Sequence, residues 1–247
     1  MRIRRCAPTR VRIVFCILLA GAATGTAIDQ DVDYAAIFGE ALPAAERFLS
    51  EHASLAASLH LEPEKTDLAL AVVFPEVMRF DDFLDNLQVL ALKLFYIPYG
   101  KRYAGYSVGR FQMKPIFAEQ VERDANRLLS AEEKMAAGAA VFDPADTPEN
   151  RRLRVLRLDD LAWQFRYLGL FMRVMDKRHE KTFFPSDRDR LRFYAAAYNA
   201  GYTNREAVIR RRISAKSYSV KPFGAEEKYS YSEIALFAYE RRGFSRR

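Results

Sequence analysis

Apolar residues recur along this chain at spacings of three and four, and no stretch sustains a period of two, so the pattern predicts helices nearly throughout. Thr66 reads as the N-cap of a helix carrying Leu68 to Phe74. Pro75 is expected to kink or end that helix, because its ring clashes with the carbonyl of Ala71. A second helix fits Leu84, Leu87, Leu90, Ala91 and Leu94 and stops near Pro98 and Gly100. The stretch "PYGKRYAGYSVGRFQMKP" has three glycines and no periodicity, and reads as a long shaped loop. Pro115 suits the first turn of a helix with Phe117, Val121, Ala125 and Leu128 on one face. "SAEE" at 130–133 is a capping-box pattern, and "FDPADTPENRR" reads as a linker or surface loop. A helix through Leu161, Phe165, Leu168, Met172 and Met175 follows. "SDRD" at 186–189 caps another, which ends at Gly201. The fold class expected is therefore all-α.

The N-terminus changes how composition is read. Residues 1–27 carry five arginines ahead of an apolar run and then "TGTA", the order of a secretory signal peptide cut near Ala27. The apolar run from Ile13 is short against the roughly 20 residues that span a bilayer, so cleavage is the expectation, with a retained anchor as the alternative. The protein is then exported, periplasmic or secreted. The formal charge of +7 includes those five arginines and no acid from residues 1–27, so the remainder carries +2. A strongly basic nucleic-acid binder is thereby disfavoured, and no nucleic-acid partner is expected. Cys6 and Cys16 leave with the leader, so the mature chain relies on an apolar core rather than disulfides. Three further parts are expected: an N-terminal helical segment at 28–65, a central domain at 66–213 and a basic helical extension at 214–247. From position 201 onward eleven Lys or Arg stand against five acids. That excess is either solvated surface or an attraction for an anionic polymer or headgroups.

Glu76 is the residue that asks for an explanation. It follows an unbroken apolar run and Pro75 in "AVVFPEVMRF". A carboxyl among Phe74, Val77 and other apolar groups loses solvation of its charged form, so its pKa rises. A dry, protonated carboxyl is what general-acid cleavage of a glycosidic bond needs near neutral pH.

Three separated segments belong with that reading: "FPEVMRF", "SVGRFQMKP" and "YAAAYNAG". Together, in this order, they resemble the signature motifs of the soluble lytic transglycosylase family, which has the lysozyme fold and cleaves peptidoglycan. The likeness spans residues 66–213, and "QFRYLGLFM" resembles the family's middle helix through Tyr167 and Leu168. Glu76 matches the family's acid. Ser107, Gly109, Gln112 and Pro115 match its loop, and Tyr198, Asn199, Ala200 and Gly201 match its turn. The resemblance implies a lysozyme-like domain with added terminal helices that cuts the MurNAc–GlcNAc β-1,4 bond and leaves 1,6-anhydro-MurNAc ends. Glu76 is then the single catalytic acid and base. Ser107, Gly109, Phe111, Gln112, Tyr198 and Asn199 are the substrate-binding candidates, with Phe111 standing in the apolar place of a methionine. Three departures are visible. Val77 replaces a serine and removes a hydrogen bond, Arg110 adds a charge near the cleft, and the chain between Glu76 and Gln112 is lengthened by a helix.

Alternatives remain open. Tyr198 either orients Glu76 through its hydroxyl or packs in the core, and Asn199 either shapes the site or caps its own helix. Tyr103 and Tyr106 are sugar-stacking walls or ordinary loop aromatics. Asp81, Asp82 and Asp85 are caps or surface charges unless one faces Glu76, in which case a hydrolytic muramidase gains ground. A non-catalytic glycan-binding scaffold is the reading from another class. His52, His60 and His179 are scattered without metal-ligand spacing, so no metal and no cofactor is expected. The partners expected are peptidoglycan glycan strands, with an envelope protein as a candidate for the N- or C-terminal extension, and a monomer is the expected state.

Overall fold

The computed structural model describes residues 32–138, 142–220 and 227–241. The expected leader and cut site, and both cysteines, lie outside the described residues. The described chain is mostly helical with one small two-strand sheet, so the all-α expectation holds for the bulk and misses the sheet. No helix among the described residues is long and apolar enough to cross a membrane.

Helices α1 (Tyr34–Phe38), α2 (Ala41–Glu51) and α3 (Ala53–Ala57) form the N-terminal segment and bury Leu49 and Ala56. Next comes α4 (Pro63–Arg79), buried along most of its length. The bounds of this helix differ from those expected at both Thr66 and Pro75. Pro63 opens the helix after Glu62, so Thr66 lies inside it, and the helix continues through Pro75 for a further turn. Tertiary hydrogen bonds support that turn. The Tyr231 hydroxyl donates to the carbonyl of Val72 at 2.9 Å, and the Tyr218 hydroxyl donates to the carbonyl of Pro75 at 2.7 Å. They tie this part of the helix to the far end of the chain, against the roughly 3 kcal/mol that an interior proline costs a helix.

Helix α5 (Asp82–Ala91), N-capped by Asp81, runs into a π-helical turn at Leu92–Tyr96 and a short α6 (Ile97–Tyr99), and the chain breaks at Gly100 with φ +79°. The span matches the sequence pattern, but the buried face does not. Val89, Leu92 and Tyr96 are buried, whereas Leu87, Leu90 and Leu94 are exposed.

Helix α7 (Pro115–Leu128) starts at its proline as expected, and Ser130 and Glu133 close a reciprocal capping box on α8 (Ala131–Ala136). The stretch read as a linker is irregular at 142–147 as expected but enters α9 (Pro148–Asp159) at its end, with Thr147 accepting from the Asn150 amide and Pro148 in the first turn. Helices α10 (Leu161–Arg178) and α11 (Asp187–Ala200) follow the expected pattern, and α11 stops at Gly201, φ +96°. After α12 (Glu206–Arg212), strand β1 (Lys216–Tyr218) pairs antiparallel with β2 (Tyr229–Ser230), which leads into α13 (Tyr231–Glu240).

The C-terminal part is no appendage. Helix α13 packs against α4 and α11, the Ser232 hydroxyl donates to the carbonyl of Arg192 at 2.9 Å, and Arg192 pairs with Glu233 at 2.9 Å. The described residues form one unit, so the described parts of 28–65 and 214–247 fold with the centre rather than beside it.

Candidate active site

Glu76 sits in the last turn of α4, with the residue only 6% exposed, at the wall of a groove of about 710 Å³. Its Oε2 accepts from Arg79 Nη2 at 2.8 Å, one turn along the same helix, and from the Tyr218 hydroxyl at 3.2 Å. Oε1 is thereby left open to the groove. Burial pushes the Glu76 pKa above its ordinary 4.5, against Arg79, the Tyr218 hydrogen bond and the charge of Lys114, which all pull it down.

The Tyr218 hydroxyl has one proton and two neighbours, the Pro75 carbonyl at 2.7 Å and Glu76 at 3.2 Å. Its proton is shared between the two acceptors and turns to Glu76 when that carboxyl is ionised. When Glu76 is ionised, the same hydroxyl and Arg79 both face the charge. The Arg79 guanidinium also lies over the Tyr218 ring, 4.7 Å from its centre, and Tyr231 meets that ring edge-on at 5.0 Å. Tyr218→Phe is expected to cost about 1 kcal/mol of stability and to raise the Glu76 pKa further, since the lost hydrogen bond favours the carboxylate. Denaturant unfolding and a carbon-NMR titration of the Glu76 carboxyl measure the two effects.

The glycine loop contributes Ser107, Gln112 and Met113 to the lining of the groove. Val108 and Met113 pair with each other, enclosing a tight turn in which Gly109 has φ +72° and Gln112 φ +47°. Its amides are engaged inside the protein. The Ser107 amide donates to Gln88 Oε1 at 2.8 Å, Gly109 to Asp85 Oδ1 at 2.7 Å and Phe111 to Gln164 Oε1 at 2.9 Å. The substrate-binding expectation for Gly109 and Phe111 is corrected accordingly, since their amides and that of Ser107 are not free to meet sugar groups. Their work is to hold the loop, and the side chains of Ser107 and Gln112 are what face the groove. Phe111 does not face it: its ring is fully buried, edge-on to Phe165 at 4.9 Å. Arg110 is drawn away as well, its guanidinium 4.0 Å from the centre of the Phe80 ring and 5.1 Å from that of Phe48.

From α11, Tyr198 and Asn199 reach the same groove as Glu76 and Gln112. The Tyr198 hydroxyl donates to the Phe111 carbonyl at 2.6 Å, so it ties the loop to α11 and does not orient Glu76. Orientation falls to Tyr218, which sequence reasoning missed. Asn199 is exposed at the rim, and the helix-end carbonyls of Ala200 and Gly201 are instead served by Asn204 Nδ2 at 2.8 and 2.9 Å. Tyr103 stacks with Phe95 at 5.7 Å, and neither it nor Tyr106 is among the groove-lining residues.

A smaller compartment of about 210 Å³ adjoins the groove, sharing Arg79, Ser107 and Gln112 and adding Asp81, Leu84, Asp85 and Gln88 from α5. Burial raises the pKa of Asp85 against the hydrogen bond from the Gly109 amide. Asp85 Oδ1 also receives Gln112 Nε2 at 3.4 Å, so this carboxylate positions the loop. Together the two compartments have one dry carboxyl, Glu76, in their lining, and Arg79, Lys114 and Lys228 line them as well. Among the described residues no three His, Cys, Asp or Glu side chains are grouped to hold a metal ion. No protein-family model matches the chain, and no curated protein and no solved structure matches it.

Proposed function

We propose that the protein is a peptidoglycan lytic transglycosylase on a lysozyme-like helical fold, with Glu76 as its single acid and base. The observation that carries the reading is the shared groove: a buried carboxyl with a raised pKa lines it together with Gln112 and Tyr198. A glycan strand suits a groove lined by polar side chains from several elements. Ser107, Gln112 and Asn199 offer hydroxyl and amide groups to sugar hydroxyls and acetamides, and the cations suit the carboxylates that muramyl sugars and their peptides carry.

The chemistry follows from the environment of Glu76. As the bond between the muramyl anomeric carbon and the bridging oxygen breaks, Glu76 gives its proton to that oxygen. The resulting carboxylate is not stranded, because Arg79 at 2.8 Å and the Tyr218 hydroxyl at 3.2 Å face it. It then takes the proton from the muramyl 6-hydroxyl as that oxygen bonds to the anomeric carbon, closing the 1,6-anhydro ring. No water is consumed and no second carboxylate is needed. The arrangement of Asp85 favours this route over hydrolysis. A hydrolase needs a second free carboxylate as nucleophile or base, and Asp85 is occupied with the Gly109 amide and Gln112.

Mass spectrometry of purified peptidoglycan digested by the protein is expected to show anhydro-muramyl ends, lighter by one water than hydrolytic products. Reducing ends alone would turn the reading to a muramidase. Strand binding without turnover, unchanged in Glu76→Gln, would turn it to a glycan-binding scaffold.

A further inference from the structure

The outer face of α5 carries an apolar stripe that nothing in the described chain covers. Phe83, Leu87, Leu90 and Leu94 are 70%, 49%, 52% and 55% exposed. Their spacing of four, three and four is the seam of a helix that packs against another helix. The π-helical turn at Leu92–Tyr96 leaves Leu94 on this side while Leu92 and Tyr96 turn inward. Single exposed leucines are ordinary, but a stripe of about three turns on one helix is not.

Charge identifies what fits against it. The start of α5 is acidic, with Asp81, Asp82 and Asp85, and its far end carries Lys93. Asp82 and Lys93 are about three turns apart and so lie on the same flank of the stripe. Within the chain each has only a loose ion pair, Asp82 with Arg110 at 3.6 Å and Lys93 with Asp159 at 3.9 Å. The Asp82 side chain is 78% exposed. An antiparallel helix of the same sequence is complementary to this pattern. About a twofold axis midway between Leu87 and Leu90, Leu87 of one copy meets Leu90 of the other and Phe83 meets Leu94. The same operation sets Lys93 of each copy beside Asp82 of the other.

We infer that this face of α5 is a homodimer interface, formed by antiparallel pairing of α5 with α5 of a second copy. This revises the monomer expected from sequence, and it stands whether or not the glycan-cleavage reading does. The groove-lining residues Asp85 and Gln88 lie on another side of the helix from the stripe.

Sedimentation velocity of the purified protein over about 1–200 μM tests it. A dimer is expected to populate in the upper part of that range. Leu87→Glu, at an exposed position, should keep the far-UV spectrum and melting temperature while weakening association about 100-fold. Asp82→Lys and Lys93→Asp should each weaken it about tenfold, and the two together should restore it, since only an antiparallel self-pair exchanges these charges. A protein that stays monomeric throughout, or a dimer indifferent to Leu87→Glu, overturns the inference. So does a monomer that co-sediments with phosphatidylglycerol vesicles and loses them in Leu87→Glu, because the stripe would then be a membrane face.

Discussion

Replacing Glu76 with glutamine is expected to lower glycan cleavage by roughly 10²–10⁴-fold, near the upper end because one group serves both proton transfers. The amide keeps the shape and can still face Arg79 and Tyr218, so strand binding should persist. The same change is expected to stabilise the protein at neutral pH. Burial raises the folded-state pKa of Glu76 above its ordinary 4.5, so the native state keeps this proton to higher pH than the unfolded chain does. The wild type therefore loses stability as pH climbs from about 4.5 through the raised folded value, and Glu76→Gln lacks that loss. Below the ordinary value both carry a neutral side chain and their melting temperatures should converge. Above it the variant should melt higher, by roughly 2–4 °C for each kcal/mol released. Arg79 tolerates losing its partner, since its side chain is 30% exposed and lies over the Tyr218 ring. Thermal melts of both proteins from about pH 4 to 8, beside turnover assays, test the pair of effects. A variant that melts lower at neutral pH would mean that the ion pair outweighs burial, and Glu76 would then be an ordinary salt-bridged carboxylate.

What the sequence made legible was local. Pro115 at a first turn, the Ser130–Glu133 box and Gly201 at a helix end each carry their meaning within a few residues, and those boundaries stand. The gathering of Glu76, Gln112 and Tyr198 around one groove also followed from three segments read in order. The failures have physical reasons. Pro75 breaks helices by local rules, but two tyrosine hydroxyls from the far end of the chain bond to carbonyls in this turn. Helix α5 has two apolar faces, and periodicity alone does not say which one the core takes. Tyr218 stands on a three-residue strand with no pattern around it, and it meets Glu76 only through the tertiary fold. The helix at Pro148 is different: a threonine cap before a first-turn proline was there to be read, and the density of proline and charge around it hid it.

Gly109→Ala is expected to be the most damaging single methyl group in the site. An alanine there must adopt φ +72°, and its Cβ would lie 1.6 Å from Gln164 Nε2 and 2.4 Å from Cδ. Gln164 has nowhere to yield. It is 2% exposed, its Oε1 accepts the Phe111 amide at 2.9 Å, and its Nε2 donates to the Leu158 carbonyl at 2.8 Å. Moving it breaks both bonds. The left-handed backbone costs about 1–2 kcal/mol and each buried hydrogen bond about 1 kcal/mol, so a loss on the order of 3 kcal/mol is expected in denaturant unfolding. The loop also carries Ser107 and Gln112, and a shift of about 1 Å there should lower turnover by roughly 100-fold. Gly105→Ala is the control. Gly105 has no atom within 4 Å of its would-be Cβ and no positive φ, so it should stay within about 0.5 kcal/mol of the wild type. Adding Gln164→Ala to Gly109→Ala separates the two costs. The clash disappears and the backbone strain remains, so part of the stability should return. If Gly109→Ala proves as mild as Gly105→Ala, the loop does not take this turn, and Gln112 is not held where it meets the groove.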